Sequence, residues 1–202
     1  MEQDNLFLEK QTLFAVPLYQ TVFPSHNKNH ELYKTFIDDQ IDNQASTIDL
    51  EHNSVETKRI LHSIDVFDDL IYSIGDLCEE LHNDFCISFD KSIAVSAMWA
   101  TRCDNQKFIR TQYQTESFLY GVYFLQTPEE SGSIEIDLDI TDRNYYSELH
   151  PDDPNTLNSR NFKTLMPEGH ILLMPSHLGV GYTTNLAQSQ RYLLHFTLKV
   201  LG

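Results

Sequence analysis

Phe118-Leu-Tyr-Gly-Val-Tyr-Phe-Leu125 is apolar and aromatic along its length. Such a run reads as a mostly buried strand, and a strand of that kind needs cover on both faces. The chain after Phe85 supplies further strands. Ser133–Ile140 alternates strictly, with Ile134, Ile136, Leu138 and Ile140 facing one way and Glu135, Asp137 and Asp139 the other. Period two makes it a half-buried strand with an acidic outer stripe. One or two strands are expected within Ile87–Trp99, ending in Ala94-Val-Ser-Ala-Met-Trp-Ala100. His170–Met174 is a short strand closed by Pro175, Gly179 and Gly181 mark a bend, and Arg191–Val200 is a closing strand. On that last strand Arg191, Leu193, His195 and Thr197 share a face. Thr127-Pro-Glu-Glu-Ser-Gly132 and Pro167-Glu-Gly169 are turns.

The first part of the chain is mainly helical. Leu13–Tyr19 reads as a strand that Pro17 confines to an edge or an end, and Pro24-Ser25 breaks the chain. Residues 28–42 form a helix with Leu32, Phe36, Ile37 and Ile41 on one face. After a polar loop, Asp42–Ser54, the residues Ile60, Ile64, Phe67, Ile71, Ile74, Cys78 and Leu81 trace one apolar stripe. Its start is open, because 55–62 also reads as a separate turn. Gly75 weakens this helix by about 1 kcal/mol against Ala. Residues 141–163 are a long polar excursion. Helices followed by many short strands predict a mainly β chain with helices (α+β), a β-sandwich or jelly-roll barrel backed by N-terminal helices. With 202 residues, 41% of them hydrophobic, one domain is expected: residues 1–84 as strand and supporting helices, 85–202 as the barrel.

The 14 basic residues are outnumbered by 30 acids, for a net charge of -16. Phosphate backbones are gripped by Lys and Arg, so nucleic acid and anionic membranes are poor partners. The charge serves solubility or docking to a basic protein surface. No apolar run reaches the roughly 20 residues a bilayer requires, and no secretory signal is expected after Met-Glu-Gln-Asp. Cys78, Cys86 and Cys103 have no paired spacing and read as reduced thiols, which suits a cytoplasmic setting.

Five segments, in order, resemble the phage-type branch of the 2-oxoglutarate/Fe(II) oxygenases. Leu13-Phe-Ala-Val-Pro-Leu-Tyr19 resembles that family's Phe-Pro-x-Pro strand, and Trp99-Ala100 its Trp-Ala-Asn, with Thr101 in place of Asn. Ser117-Phe-Leu-Tyr-Gly-Val-Tyr-Phe124 resembles Ser-x-Leu-Ser-Gly-Val-Tyr-Tyr. Met166-Pro-Glu-Gly-His-Ile-Leu-Leu-Met-Pro-Ser176 resembles Pro-x-x-Gly-x-Leu-Leu-Phe-Pro-Ser, and Arg191 opens the counterpart of Arg-x-Ser-x-Ser-Phe-Asn. The resemblance implies a double-stranded β-helix in which two His and a carboxylate hold iron and leave sites for 2-oxoglutarate and oxygen.

Residue by residue, the ligand positions depart from that pattern. The two on the metal-bearing strand fall on Gln112 and Gln114, and the distal His falls on Val180. Arg191 keeps a guanidinium able to grip a carboxylate, but the Ser expected two residues on is Leu193. Arg191 is therefore either an internal ion-pair partner or a site for a small acid. His177 and His195 are candidate relocated ligands or pocket residues, and His150-Pro-Asp152 has His-x-Asp spacing away from the expected strand. Glu135, Asp137 and Asp139 form a solvated face or, with loop oxygens, a calcium site. Tyr113 and Tyr123 line a pocket or pack in the barrel. The expectation is a non-catalytic relative without cofactor, acting as a binding or structural module. It would serve in a phage particle, against a basic partner or another copy of itself. The alternatives are an active oxygenase using Fe(II) and 2-oxoglutarate through relocated ligands, and a sensor of a small acid at Arg191.

Overall fold

The computed structural model describes residues 16–43, 48–49, 54–137 and 161–202. Leu13–Ala15, Asp139 and His150-Pro-Asp152 lie outside the described residues. The strands are β1 (Tyr19–Val22), β2 (Ile48–Asp49), β3 (Ser54–Glu56), β4 (Ser92–Cys103), β5 (Ile109–Gln112), β6 (Leu119–Gln126), β7 (Ile134–Asp137), β8 (Asn161–Thr164), β9 (His170–Pro175), β10 (Gly179–Tyr182) and β11 (Arg191–Leu201). The helices are α1 (His26–Asn43) and α2 (Asp68–Asp84). A seven-stranded sheet runs β1-β9-β6-β11-β4-β3-β2, and a four-stranded sheet runs β5-β10-β7-β8. The ladders within both are antiparallel. A major and a minor sheet facing each other, with helices behind the major one, is the double-stranded β-helix that the sequence predicts.

Alternation along the central strands separates two cores. The even residues of β11, from Tyr192 to Leu198, join Tyr123, Leu125, Ile171 and Leu173 in a cluster with the buried face of both helices. Leu193 joins Trp99, Tyr120, Val122, Phe124, Val180 and Tyr182 in the cluster between the sheets. β6 is buried from Leu119 to Leu125 because it has a core on each side. Gly121 is required there by close approach: a Cβ would lie 2.2 Å from the Phe196 ring, and Phe196 is its cross-strand partner.

Four local expectations are corrected. On α1 the buried residues are Asn29, Tyr33, Ile37 and Ile41, four apart, while Leu32 is 52% exposed. Asn29 is buried because its amide donates to Asp69 at 3.0 Å, at the start of α2. The stripe beginning at Ile60 is not one helix. Leu61–Ser63 and Asp65–Phe67 are separate 3-10 turns, because Ile64 between them is extended (φ -110°, ψ 120°). Finally, the bend at Gly179 and Gly181 is strand β10, and the end of the polar excursion is strand β8, paired with β7. Gly179 lets β5 come close, since a Cβ would meet Thr111 at 2.6 Å and the Tyr113 ring at 2.7 Å.

The inner surface of α1 is also fixed by charge. Asp38 accepts from Arg102 of β4 at 2.8 Å and from the Tyr192 hydroxyl of β11 at 2.7 Å, and Arg102 reaches Asp42 at 3.1 Å. Among the described residues no helix is long and apolar enough to cross a membrane.

Candidate functional site

Two of the three suspected metal positions are neighbours in the minor sheet. Val180 on β10 is directly opposite Gln112 on β5. Gln114 lies just past β5, where its backbone N–H donates to Ser176 at 3.2 Å and its Oε1 accepts from Arg59 at 3.3 Å. Val180 is buried among apolar and aromatic side chains. The donor chemistry at these positions is two neutral amides and an isopropyl group. Fe(II) in a facial site takes imidazole and carboxylate, and among the described residues no three His, Cys, Asp or Glu converge to supply them. The ion does not fit this donor set. His177 is exposed on the turn between β9 and β10.

Arg191 opens β11 and points between the sheets, 1% exposed. Its Nη1 donates to the carbonyl oxygens of Ser131 and, at 3.2 Å, Thr183; its Nη2 donates to the Cys103 Sγ at 3.4 Å. The guanidinium lies 5.2 Å from the Tyr182 ring centre. Among the described residues no carboxylate pairs with it, and its Nε has no partner. Burial pushes its pKa down, while the Cys103 thiol and the Tyr182 hydroxyl push it back up. A buried cation without a counter-ion is costly. The loop behind it is held by Asn185, whose Nδ2 donates to the Cys103 and Ser189 carbonyls, each at 3.0 Å.

Further along the same face of β11 lies His195, 3% exposed. Its Nδ1 is 2.5 Å from the Tyr120 hydroxyl, and its ring stacks on Trp99 with centroids 5.3 Å apart. Burial first, then the charges of Arg59 and Arg191, push its pKa down to about 3, so the imidazole is neutral. Its Nε2 and the Thr101 hydroxyl are buried without partners. Arg59 covers the outer face of Trp99 at 4.0 Å. A line of polar and aromatic groups therefore runs from Arg191 through His195 to the barrel mouth.

Tyr113 is 41% exposed beside that mouth. Tyr123 sits on the helix side of the major sheet, its hydroxyl 2.6 Å from His26 Nδ1. Strand parity sends Tyr120 rather than Tyr123 inward. Sequence reasoning missed Tyr120, Tyr182 and Arg59. Tyr120 shares the inward parity of Val122, which lies opposite His195, and Tyr182 that of Val180, which lies opposite Gln112; Arg59 gave no signal.

No protein-family model matches the sequence, and no curated protein matches it either. Solved structures do. A prolyl-4-hydroxylase from Pseudomonas putida superposes with a TM-score of 0.60 at 11% identity, covering 90% of this chain and 92% of that one. HygX from Streptomyces hygroscopicus, with nickel and 2-oxoglutarate bound, gives 0.60 at 11% identity over 91% and 83%. The α-ketoglutarate-dependent epimerase SnoN of nogalamycin biosynthesis gives 0.63 at 10% identity over 90% and 78%. The expectation of no cofactor is corrected by these neighbours, since HygX is seen with nickel and 2-oxoglutarate and also with iron. Cofactor use is the positive finding for proteins of this shape. The chain has the double-stranded β-helix fold of the 2-oxoglutarate/Fe(II) oxygenases.

Proposed function

We propose that this protein is a binding module for 2-oxoglutarate or a closely related dicarboxylate, built on the oxygenase fold and without oxygenase chemistry at Gln112, Gln114 and Val180. One carboxylate of the ligand pairs with Arg191. The observation that carries this reading is the buried Arg191 guanidinium with no acid beside it among the described residues. An internal carboxylate ligand supplies the missing counter-ion. The unpartnered Arg191 Nε, Thr101 hydroxyl and His195 Nε2 offer further polar contacts on the same side of the major sheet. A neutral His195 suits the site, because it adds no second cation. As a module without turnover it would act through a partner. The surplus of acids on the chain favours a basic protein surface, and the phage-type sequence resemblance favours one in a phage particle.

The test is thermal melting and calorimetry of the whole protein with 2-oxoglutarate, in chelator and again with Fe(II). At a ligand concentration of 100 Kd, binding stabilises by about 2.7 kcal/mol, a rise in Tm of about 5–11 °C. Arg191→Met, which keeps the bulk and removes the charge, abolishes the rise. No rise in the parent protein refutes the reading. Succinate formed only with iron present replaces it with the oxygenase reading.

A further inference from the structure

The barrel mouth holds a second feature that Arg191 does not explain. A cleft of about 360 Å³ opens between the 113–117 segment and the ends of β4 and β11. Its walls carry Arg59 and Lys199, and its floor carries the hydroxyls of Ser96 and Thr197. Glu116 is the acid among its lining residues. On a chain with 30 acids and 14 bases, a cleft with two cations and one acid is a local reversal of sign. Cations lining a concave wall focus potential and draw in anions.

The cleft is also shaped by a break in the sheet. Thr197 pairs with Ala97 and Leu198 with Val95, so Ser96 is an extra residue on β4. A bulge of this kind re-aims a side chain and recurs beside binding sites. Here it brings the Ser96 Oγ to 2.9 Å from the Thr197 Oγ1, two hydroxyls side by side at the cleft floor. Arg59 is held ready above them. Its guanidinium carbon lies over the Trp99 ring, 4.0 Å from the centroid, and its Nη1 donates to Gln114 at 3.3 Å. By the sequence resemblance, Gln114 falls where that family places a metal ligand. The chain thus puts an organic cation at the mouth.

We propose that this cleft is a binding site for an oxyanion group, a carboxylate or a phosphate monoester, gripped by Arg59 and Lys199 and hydrogen-bonded by the Ser96–Thr197 pair. It is separate from the Arg191 site, because Thr197 lies roughly 20 Å along β11 from Arg191. The two sites can fail independently.

Trp99 is the one tryptophan of the chain, so its fluorescence reports on Arg59 directly. The whole protein is titrated at low ionic strength with inorganic phosphate, phosphoserine and glutamate. A saturable change is expected with at least one of them. Lys199→Glu should weaken it by about tenfold or more, since reversing an exposed charge near the ligand is worth on the order of one decade in Kd. Arg59→Gln should weaken it as well, and Arg191→Met should leave it in place. Tighter binding of phosphoserine assigns a phosphate monoester, and tighter binding of glutamate a carboxylate. No saturable change with any of the three overturns the proposal. So does a response that survives both cleft substitutions, or one lost only in Arg191→Met. Lys199 is exposed, so its variant keeps the test valid should Arg59→Gln unfold the mouth.

Discussion

His195 makes stability depend on pH, and the size of the effect follows from its surroundings. The imidazole is 3% exposed and its folded pKa is about 3, against about 6.5 in an unfolded chain. A folded value below the unfolded one means that the unfolded state binds the proton first. Stability from this residue is therefore complete above pH 6.5 and is lost as pH falls through the window from 6.5 to 3. The loss is small at pH 6.5, on the order of 1 kcal/mol at pH 5.5 and on the order of 3 kcal/mol at pH 4.5. Carboxylates contribute below pH 5, so pH 5.5 is the place to measure. His195→Gln keeps a polar group beside Tyr120 and removes the titration. The assay is urea unfolding of the parent and the variant at pH 7.5 and 5.5. The variant begins less stable, and its deficit should shrink by about 1 kcal/mol between the two pH values. A deficit that stays constant means that His195 is protonated in the folded barrel, and the stack of Arg59, Trp99 and His195 would then be wrongly drawn.

Gly121→Ala places a methyl group against the Phe196 ring and should cost about 1–3 kcal/mol by overpacking, read from the urea midpoint. Asp38→Asn removes the charged acceptor shared by Arg102 and Tyr192. A loss of about 1.5–3 kcal/mol at pH 7 is expected, with little effect in the Arg102→Met background. Val180 faces Gln112 across the ladder, so the combined change Gln112→His, Gln114→Asp and Val180→His should create a metal site. Calorimetry with Mn(II) should show binding at least about tenfold tighter than in the parent; equal heats in the two proteins would mean that the three positions do not converge.

Alternation carries most of what the sequence discloses about this fold. Ile134 and Ile136 are buried and Glu135 and Asp137 turned outward, as period two requires. The same rule places Arg191, Leu193, His195 and Thr197 on one face of β11. Helical periodicity is a weaker guide, because a spacing of three and four does not say where a helix starts. Ile60 and Ile64 keep the rhythm of α2 while lying in the turns ahead of it, and only the extended backbone at Ile64 separates them. Strands that need a partner are harder still. Asn161–Thr164 looks like loop until β7 is beside it, and Phe162 remains 49% exposed even then.

The site divides along the same line between local and tertiary information. Short motifs single out Gln112, Gln114 and Val180, and the adjacency of Gln112 and Val180 follows from β5 and β10 being neighbours. Arg59 belongs to no motif and no periodic stripe. It reaches the mouth because the segment joining β3 to the first 3-10 turn passes beside Trp99. One consequence concerns charge. Where a metal-bearing relative draws a cation from solution, this chain sets Arg59 against Gln114 and Arg191 deeper between the sheets, with a neutral His195 between them. Those two arginines also account in part for the neutrality of His195, since each opposes its protonation. A carboxylate bound at Arg191 would weaken that opposition and raise the His195 pKa from its folded value. A ligand that binds near Arg191 should therefore reduce the acid sensitivity worked out for His195, whereas one confined to the Ser96–Thr197 floor acts on it through Arg59.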